Sequence, residues 1–177
     1  MRRVLVANVD GVSQVVEDGP APRSKSAVHT PGFSNTLLWT TAPRQTTDFD
    51  GADPTVAAST FVPAPGGTSM LVLTLPPVAG LQELPFNAKK RAEEHAAISP
   101  GIVDLMEPDH PGMHTTPSVD YDVVLEGTLH LELTKGEVEL HAGDVVIQHG
   151  TRHAWRNRSN QVAKLLVVFV GAAPGGA

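Results

Sequence analysis

Two segments concentrate the residues with usable chemistry. His110–Gly127 reads HPGMHTTPSVDYDVVLEG, and Gly143–Asn157 reads GDVVIQHGTRHAWRN. Between them they supply His114, Asp120 and His153. Two imidazoles and a carboxylate can bind a divalent metal, provided the histidines are neutral and the carboxylate is ionised. If the first segment is extended, side chains alternate between faces. His114, Thr116, Ser118, Asp120 and Asp122 then share one face, while Tyr121, Val123 and Leu125 share the other. A polar inner face is costly unless its groups pair with one another, with water or with a metal. The plainer reading makes 110–118 a loop, with His114 in water, leading into an ordinary strand. In either case Pro117 calls for an edge position or a bend, because it cannot donate to a ladder.

The second segment must be positioned by turns. Ala142-Gly143-Asp144 reads as a turn into the apolar strand VVI, and Gly150 marks a second turn. Beyond it His153, Trp155 and Asn157 alternate with Ala154 and Arg156.

On these residues the chain resembles the cupin superfamily. Its first motif, G(X)5HXH(X)3-4E(X)6G, is matched by His114-x-Thr116-(x)3-Asp120-(x)6-Gly127. Its second, G(X)5PXG(X)2H(X)3N, begins here at Gly143 and closes as His153-(x)3-Asn157. There are departures. Thr116 replaces the second histidine, Asp120 replaces the glutamate, His149 stands at the usual proline, and the loop to His153 is one residue shorter. The resemblance covers about Thr68 to Val170.

The resemblance implies an all-β fold, a double-stranded β-helix or jelly-roll barrel spanning 68–177. Residues 1–67 would add N-terminal strands and a long connection packed on that barrel, in one structural domain overall. It also implies a metal held by His114, Asp120 and His153, with Fe(II) as the first expectation and Zn, Mn or Ni as alternatives. His110, four residues before His114, is a candidate fourth ligand, and Thr116 and Trp155 are candidate pocket residues. His149 is the candidate general acid or base at the site mouth; the plainer reading is that it only occupies a turn. Three functions compete. The first is a non-haem oxygenase acting on a small organic substrate of the carbonyl or carboxylate kind, aromatic or polyketide-like compounds included. The second is a redox-neutral lyase, isomerase or dehydratase using the metal as a Lewis acid. The third is a non-catalytic small-molecule-binding cupin. A homodimer formed through the sheets is the expected assembly.

The rest of the chain is consistent with a supporting scaffold. The 177 residues can bury a substantial core in one domain. A hydrophobic content of 41% and a charged content of 18% suit a globular protein. With a net charge of −6 and no basic run, nucleic acid is not an expected partner. The absence of cysteine excludes disulfides and thiolate metal sites. MRRVLVANVDG has neither the apolar run of a membrane span nor a cleavage site, so no membrane partner and a cytoplasmic location are expected.

VLVANV, Asp10-Gly11 and VSQVV predict a hairpin over Arg3–Asp18. Residues 19–32 are expected to be irregular, Phe33–Thr41 a strand, 42–67 a long surface connection and Thr68–Pro76 a buried strand. Leu84–Ser99 is the one helical candidate, capped by Asn87 and ended by Pro100-Gly101. If that helix covers the barrel mouth it can gate access; its His95 is read as a surface or packing residue. Thr128–Leu133, Glu137–Leu140 and Lys164–Val170 are the remaining predicted strands, and the tail beyond is expected to fray.

Overall fold

The expected N-terminal hairpin forms in a computed structural model that describes residues 1–81 and 88–173. Strand β1 (Arg2–Val9) pairs with β2 (Val12–Pro20). Asp10 and Gly11 between them have φ values of 53° and 78°. That is the primed turn whose twist matches the flanking strands, and the reason Asp-Gly is favoured there. The stretch 19–32, expected to be irregular, contains β3 (Arg23–Ser26), which pairs with β4 (Ser34–Thr41). Its sequence, RSKS, has no apolar alternation to read; pairing with β4, joined by a Ser24–Thr36 hydroxyl contact at 2.8 Å, makes it a strand.

The remaining strands are β5 (Thr68–Leu75), β6 (Ser118–Glu126), β7 (Thr128–Leu133), β8 (Glu137–His141), β9 (Val145–His149), β10 (His153–Arg156) and β11 (Ala163–Gly171). They form a six-stranded sheet in the order β3-β4-β5-β11-β6-β9 and a three-stranded sheet in the order β10-β7-β8. The N-terminal β3 and β4 thus extend the larger sheet. Leu37, Leu71, Val124, Leu129, Leu165 and Phe169 fill the core shared by the two sheets. On β11, Leu165, Val167 and Phe169 point inward and are buried, alternating with half-buried neighbours. β5 is buried on both faces only at its centre, Leu71 and Val72; Met70 is exposed.

Two close approaches fix the frame around the site. Gly127 joins β6 to β7 with φ 78°, and a Cβ there would lie 3.0 Å from both the Ala163 Cβ and the Val162 carbonyl oxygen. The last residue of the first motif is therefore a steric requirement. Pro117 sits immediately before β6, at a bend as expected.

The connection 42–67 contains no strand or helix, yet it buries Phe61 and Thr55. It also clasps the N-terminal hairpin. The buried Arg3 guanidinium donates to the Leu38 carbonyl, to Glu17 and, at 2.6 Å, to Asp53. Burial alone would raise the Asp53 pKa, but hydrogen bonds from Arg3 and Thr55 outweigh it and hold the carboxyl below its ordinary range.

Two α-helices are present among the described residues, the single turn α1 (Val78–Leu81) and α2 (Ala88–Ile98), besides a 3-10 turn at Val103–Leu105. The expected cap Asn87 and the start at Leu84 lie outside the described residues, as does the end of the tail, 174–177. α2 is tied to the loop before β4: the Glu94 carboxylate accepts from the Val28 and His29 amides, and Arg91 Nε donates to the His29 carbonyl. No helix among the described residues is long and apolar enough to cross a membrane.

Candidate active site

Alternation and strand pairing assemble the site. His114 and His153 face each other across an isolated antiparallel bridge, each donating its amide N–H to the other's carbonyl at 2.9 Å. Asp120 on β6 lies opposite Gln148 on β9, and Asp122 follows two residues along the same face. Asp120, Asp122, Gln148, His114 and His153 are all buried and all line one cavity of about 590 Å³. Its walls are largely apolar, built from Leu71, Leu73 and Leu75 on β5, Val167 and Phe169 on β11, and Trp155 on β10. Arg91, Ala92 and His95 of α2 line the same cavity, so the helix forms part of its wall. His95 packs its ring on Phe33 at 4.5 Å, with its Nε2 3.1 Å from the Thr30 hydroxyl.

The histidine rings stand 4.3 Å apart between centroids, tilted by 48°. His114 Nδ1 lies 3.0 Å from the Gly112 carbonyl, and His153 Nδ1 lies 2.9 Å from the Thr151 carbonyl. A carbonyl oxygen only accepts, so both Nδ1 atoms carry the proton and both Nε2 atoms keep a lone pair when the rings are neutral. Burial keeps them neutral. It lowers the His114 pKa, and together with the neighbouring His114 it lowers that of His153 to about 4. The Gln148 amide reaches toward His153 Nε2 at 3.4 Å.

The two aspartates differ. Both Asp120 oxygens are taken: Oδ2 accepts from Thr116 Oγ1 at 3.1 Å, and Oδ1 accepts from Ser118 Oγ. Burial raises its pKa, against the pull of those hydroxyls. Asp122 Oδ2 accepts from Gln148 Nε2 at 2.7 Å, but its Oδ1 is buried with no partner. Burial pushes Asp122 up to about 7, with the Asp120 charge adding to the shift.

A divalent metal is what the two motifs imply here. The imidazole pair suits one: it is neutral and locked at Nδ1, as metal-binding histidines are held, although the Gln148 amide would have to leave His153 Nε2. The carboxylate is less ready, because Asp120 would have to give up a hydroxyl contact. Among the described residues no group of three or more histidine, aspartate or glutamate side chains could hold a metal ion as it stands.

The other expected site residues divide. Thr116 is buried and serves Asp120, and Trp155 lines the cavity with its ring edge-on to His153, 6.4 Å between centroids. His110 is exposed and outside the cavity, where its carbonyl accepts from the Met113 amide in a turn. His149 is also exposed and outside it. As Gln148's neighbour on β9 it points the opposite way, so the cavity residue from this strand is Gln148 instead. Arg152, Arg156 and Arg158 form ion pairs with Glu107, Glu132 and Glu137. Sequence reasoning placed Asp122 on the polar face without giving it a role, and missed Gln148. A signal for Gln148 was present: it is the one polar residue at an inward position of VVIQH. Asn157, the last residue of the second motif, is buried and donates to the Leu75 and Gln161 carbonyls, pinning the turn before β11.

Residues 101–169 match the Cupin domain family. The chain carries a cupin domain. Its two-sheet barrel is the cupin β-barrel, with additional N-terminal strands. Among curated proteins, it is 44% identical over 75 residues to phomopsin biosynthesis cluster protein C' of Diaporthe leptostromiformis, covering 41% of this chain and 40% of that protein. It is 46% identical over 71 residues to oryzines biosynthesis cluster protein J of Aspergillus oryzae, covering 37% of this chain and 40% of that one. The matched part of the chain thus spans about two fifths of the length of these relatives. A solved Cupin 2 conserved barrel domain protein from Salinispora arenicola is 13% identical, with a TM-score of 0.44, over 88% of this chain and 89% of the other.

Proposed function

We propose that this cupin domain is a metal-dependent enzyme that transforms a small, largely apolar organic molecule in the barrel cavity. The observation that carries the reading is the buried imidazole pair, His114 and His153, both locked at Nδ1, with His153 Nε2 met only by the Gln148 amide at 3.4 Å, next to two buried carboxyls. Burial holds His153 near pKa 4, which makes it a weak proton acceptor at neutral pH but leaves it fully in the neutral form that ligates metal. His114 and His153 would be ligands, with Asp120 the third by the family pattern. A metal bound there would polarise a substrate carbonyl or, as Fe(II), engage dioxygen; the oxygenase remains the first expectation. The protein's own part is to exclude water with the β5 and β11 side chains and to hold substrate against the polar floor. The two biosynthesis-cluster relatives support a place in secondary metabolism.

A second reading, redox-neutral proton transfer by a lyase, isomerase or dehydratase, has Asp122 in its favour, since a carboxyl at about 7 can both give and take a proton at neutral pH. Metal content tests the site on which both readings rest. Purified protein is expected to hold close to one metal per chain, and His114→Ala and His153→Ala are each expected to lose it, with Asp120→Ala deciding the third ligand. Protein that takes up no metal after anaerobic reconstitution with Fe(II) overturns the metal reading. Passive binding of a small molecule in the cavity would then lead. Strict oxygen dependence of turnover identifies an oxygenase.

A further inference from the structure

Two buried acceptors lining the cavity have no hydrogen-bond partner, Asn35 Oδ1 and Asp122 Oδ1, and the second belongs to the group that shares Gln148 with His153. Asp122 is 1% exposed, its Oδ2 accepts from Gln148 Nε2 at 2.7 Å, and its Oδ1 has no hydrogen-bond partner. Gln148 is itself held, because its Oε1 accepts from the Thr151 hydroxyl at 3.0 Å, which fixes which end of the amide faces Asp122. A buried acceptor left unmade is expensive. Here it lines a cavity whose other surfaces are mostly hydrocarbon. Asp122 stands at a variable position of the first motif, not at one of the positions expected to hold a metal.

We infer that Asp122 is the residue that recognises the substrate, its Oδ1 accepting a hydrogen bond from a hydroxyl on an otherwise apolar, ring-sized molecule lying over the imidazole pair. As the carboxylate, Asp122 offers Oδ1 as an acceptor only, and this is the form in which it would hold a hydroxyl. A site built around a hydroxyl discriminates strongly against an analogue lacking it, because the analogue leaves the buried acceptor unpaired. The inference rests on the cavity being the substrate site, as proposed above, but not on which reaction follows.

Isothermal titration calorimetry with 2-naphthol and 2-methoxynaphthalene tests it. The two probes share the ring system, and only the first can donate. The parent is expected to bind 2-naphthol about tenfold more tightly. In Asp122→Asn, Gln148 donates to the amide oxygen and so turns the amide NH2 toward the cavity, replacing an acceptor by a donor. The preference is then expected to vanish or invert, with metal content unchanged. Equal binding of both probes by the parent would overturn the inference and leave the cavity reading intact. Binding of neither would overturn both. Loss of metal in Asp122→Asn would overturn it too, since Asp122 would then be a ligand.

Discussion

On the inner face of β6 and β9 stand Asp120, Asp122 and Gln148, each at 3% exposure or less, while on the outer face of the same strands Tyr121, Val145 and Ile147 are 45%, 59% and 52% exposed. Elsewhere in the larger sheet the usual order holds: β11 buries Leu165, Val167 and Phe169. At this corner the sheet is inverted, polar inside and apolar outside. Burying carboxyls costs stability, and exposing aliphatic surface forgoes it. Neither face is arranged for the isolated fold. The inner one is accounted for by the cavity function proposed above. The outer one is a contiguous apolar surface of the kind that marks a contact, and a second copy of the chain is the partner we propose for it.

The largest effect expected to sharpen this contrast is a pH dependence owed to the inner face. Asp122 in the folded protein titrates at about 7, above the ordinary carboxylate value of about 3.9. Between these values the folded state holds a proton that the unfolded state releases. This contribution to stability is therefore complete below about pH 4 and is lost as pH rises toward 7, by at most about 1.4 kcal/mol per pH unit. Urea denaturation of metal-free protein at pH 5 and pH 7 should show this slope in the parent and its absence in Asp122→Asn. Identical slopes would mean that the buried carboxyl is already ionised at pH 5.

A smaller change in stability, with a clear change in mass, is expected outside. Tyr121→Ser with Ile147→Thr touches only exposed side chains, so each substitution should move the stability of the single chain by no more than about 0.5 kcal/mol. Light scattering should give twice the chain mass for the parent and a shift toward the single chain for the variant. A parent that is already monomeric at micromolar concentration would remove the second copy from the account. The least effect is predicted for His149→Ala: turnover and metal content should change less than about twofold. A tenfold loss of either would return His149 to the site and break the division between the faces.

Much of this was legible before any coordinates. The Asp10-Gly11 turn, the long apolar β5 and β11, and the two spaced motifs depend on local chemistry: residues that tolerate positive φ, and side chains that alternate every second position. The same alternation put His114, Thr116, Asp120 and Asp122 on one face, and all four are buried there. Strand β3 was not legible, because RSKS has no apolar alternation and pairing with β4 makes it a strand. Nor was the position of His149, where replacing the motif's proline drew attention to the wrong neighbour.

What the linear chain determined, then, is the set of elements and the face on which the imidazoles and carboxyls stand. Only the tertiary structure decided which of these groups meet. Asp122 and Gln148 are 26 residues apart and touch because β6 and β9 pair in one register. The same packing commits both Asp120 oxygens to hydroxyls, leaves one Asp122 oxygen open, and withdraws His114 and His153 from water, so that both rings stay neutral. Composition cannot specify such states, because they arise from desolvation and from contacts that exist only once the barrel has closed.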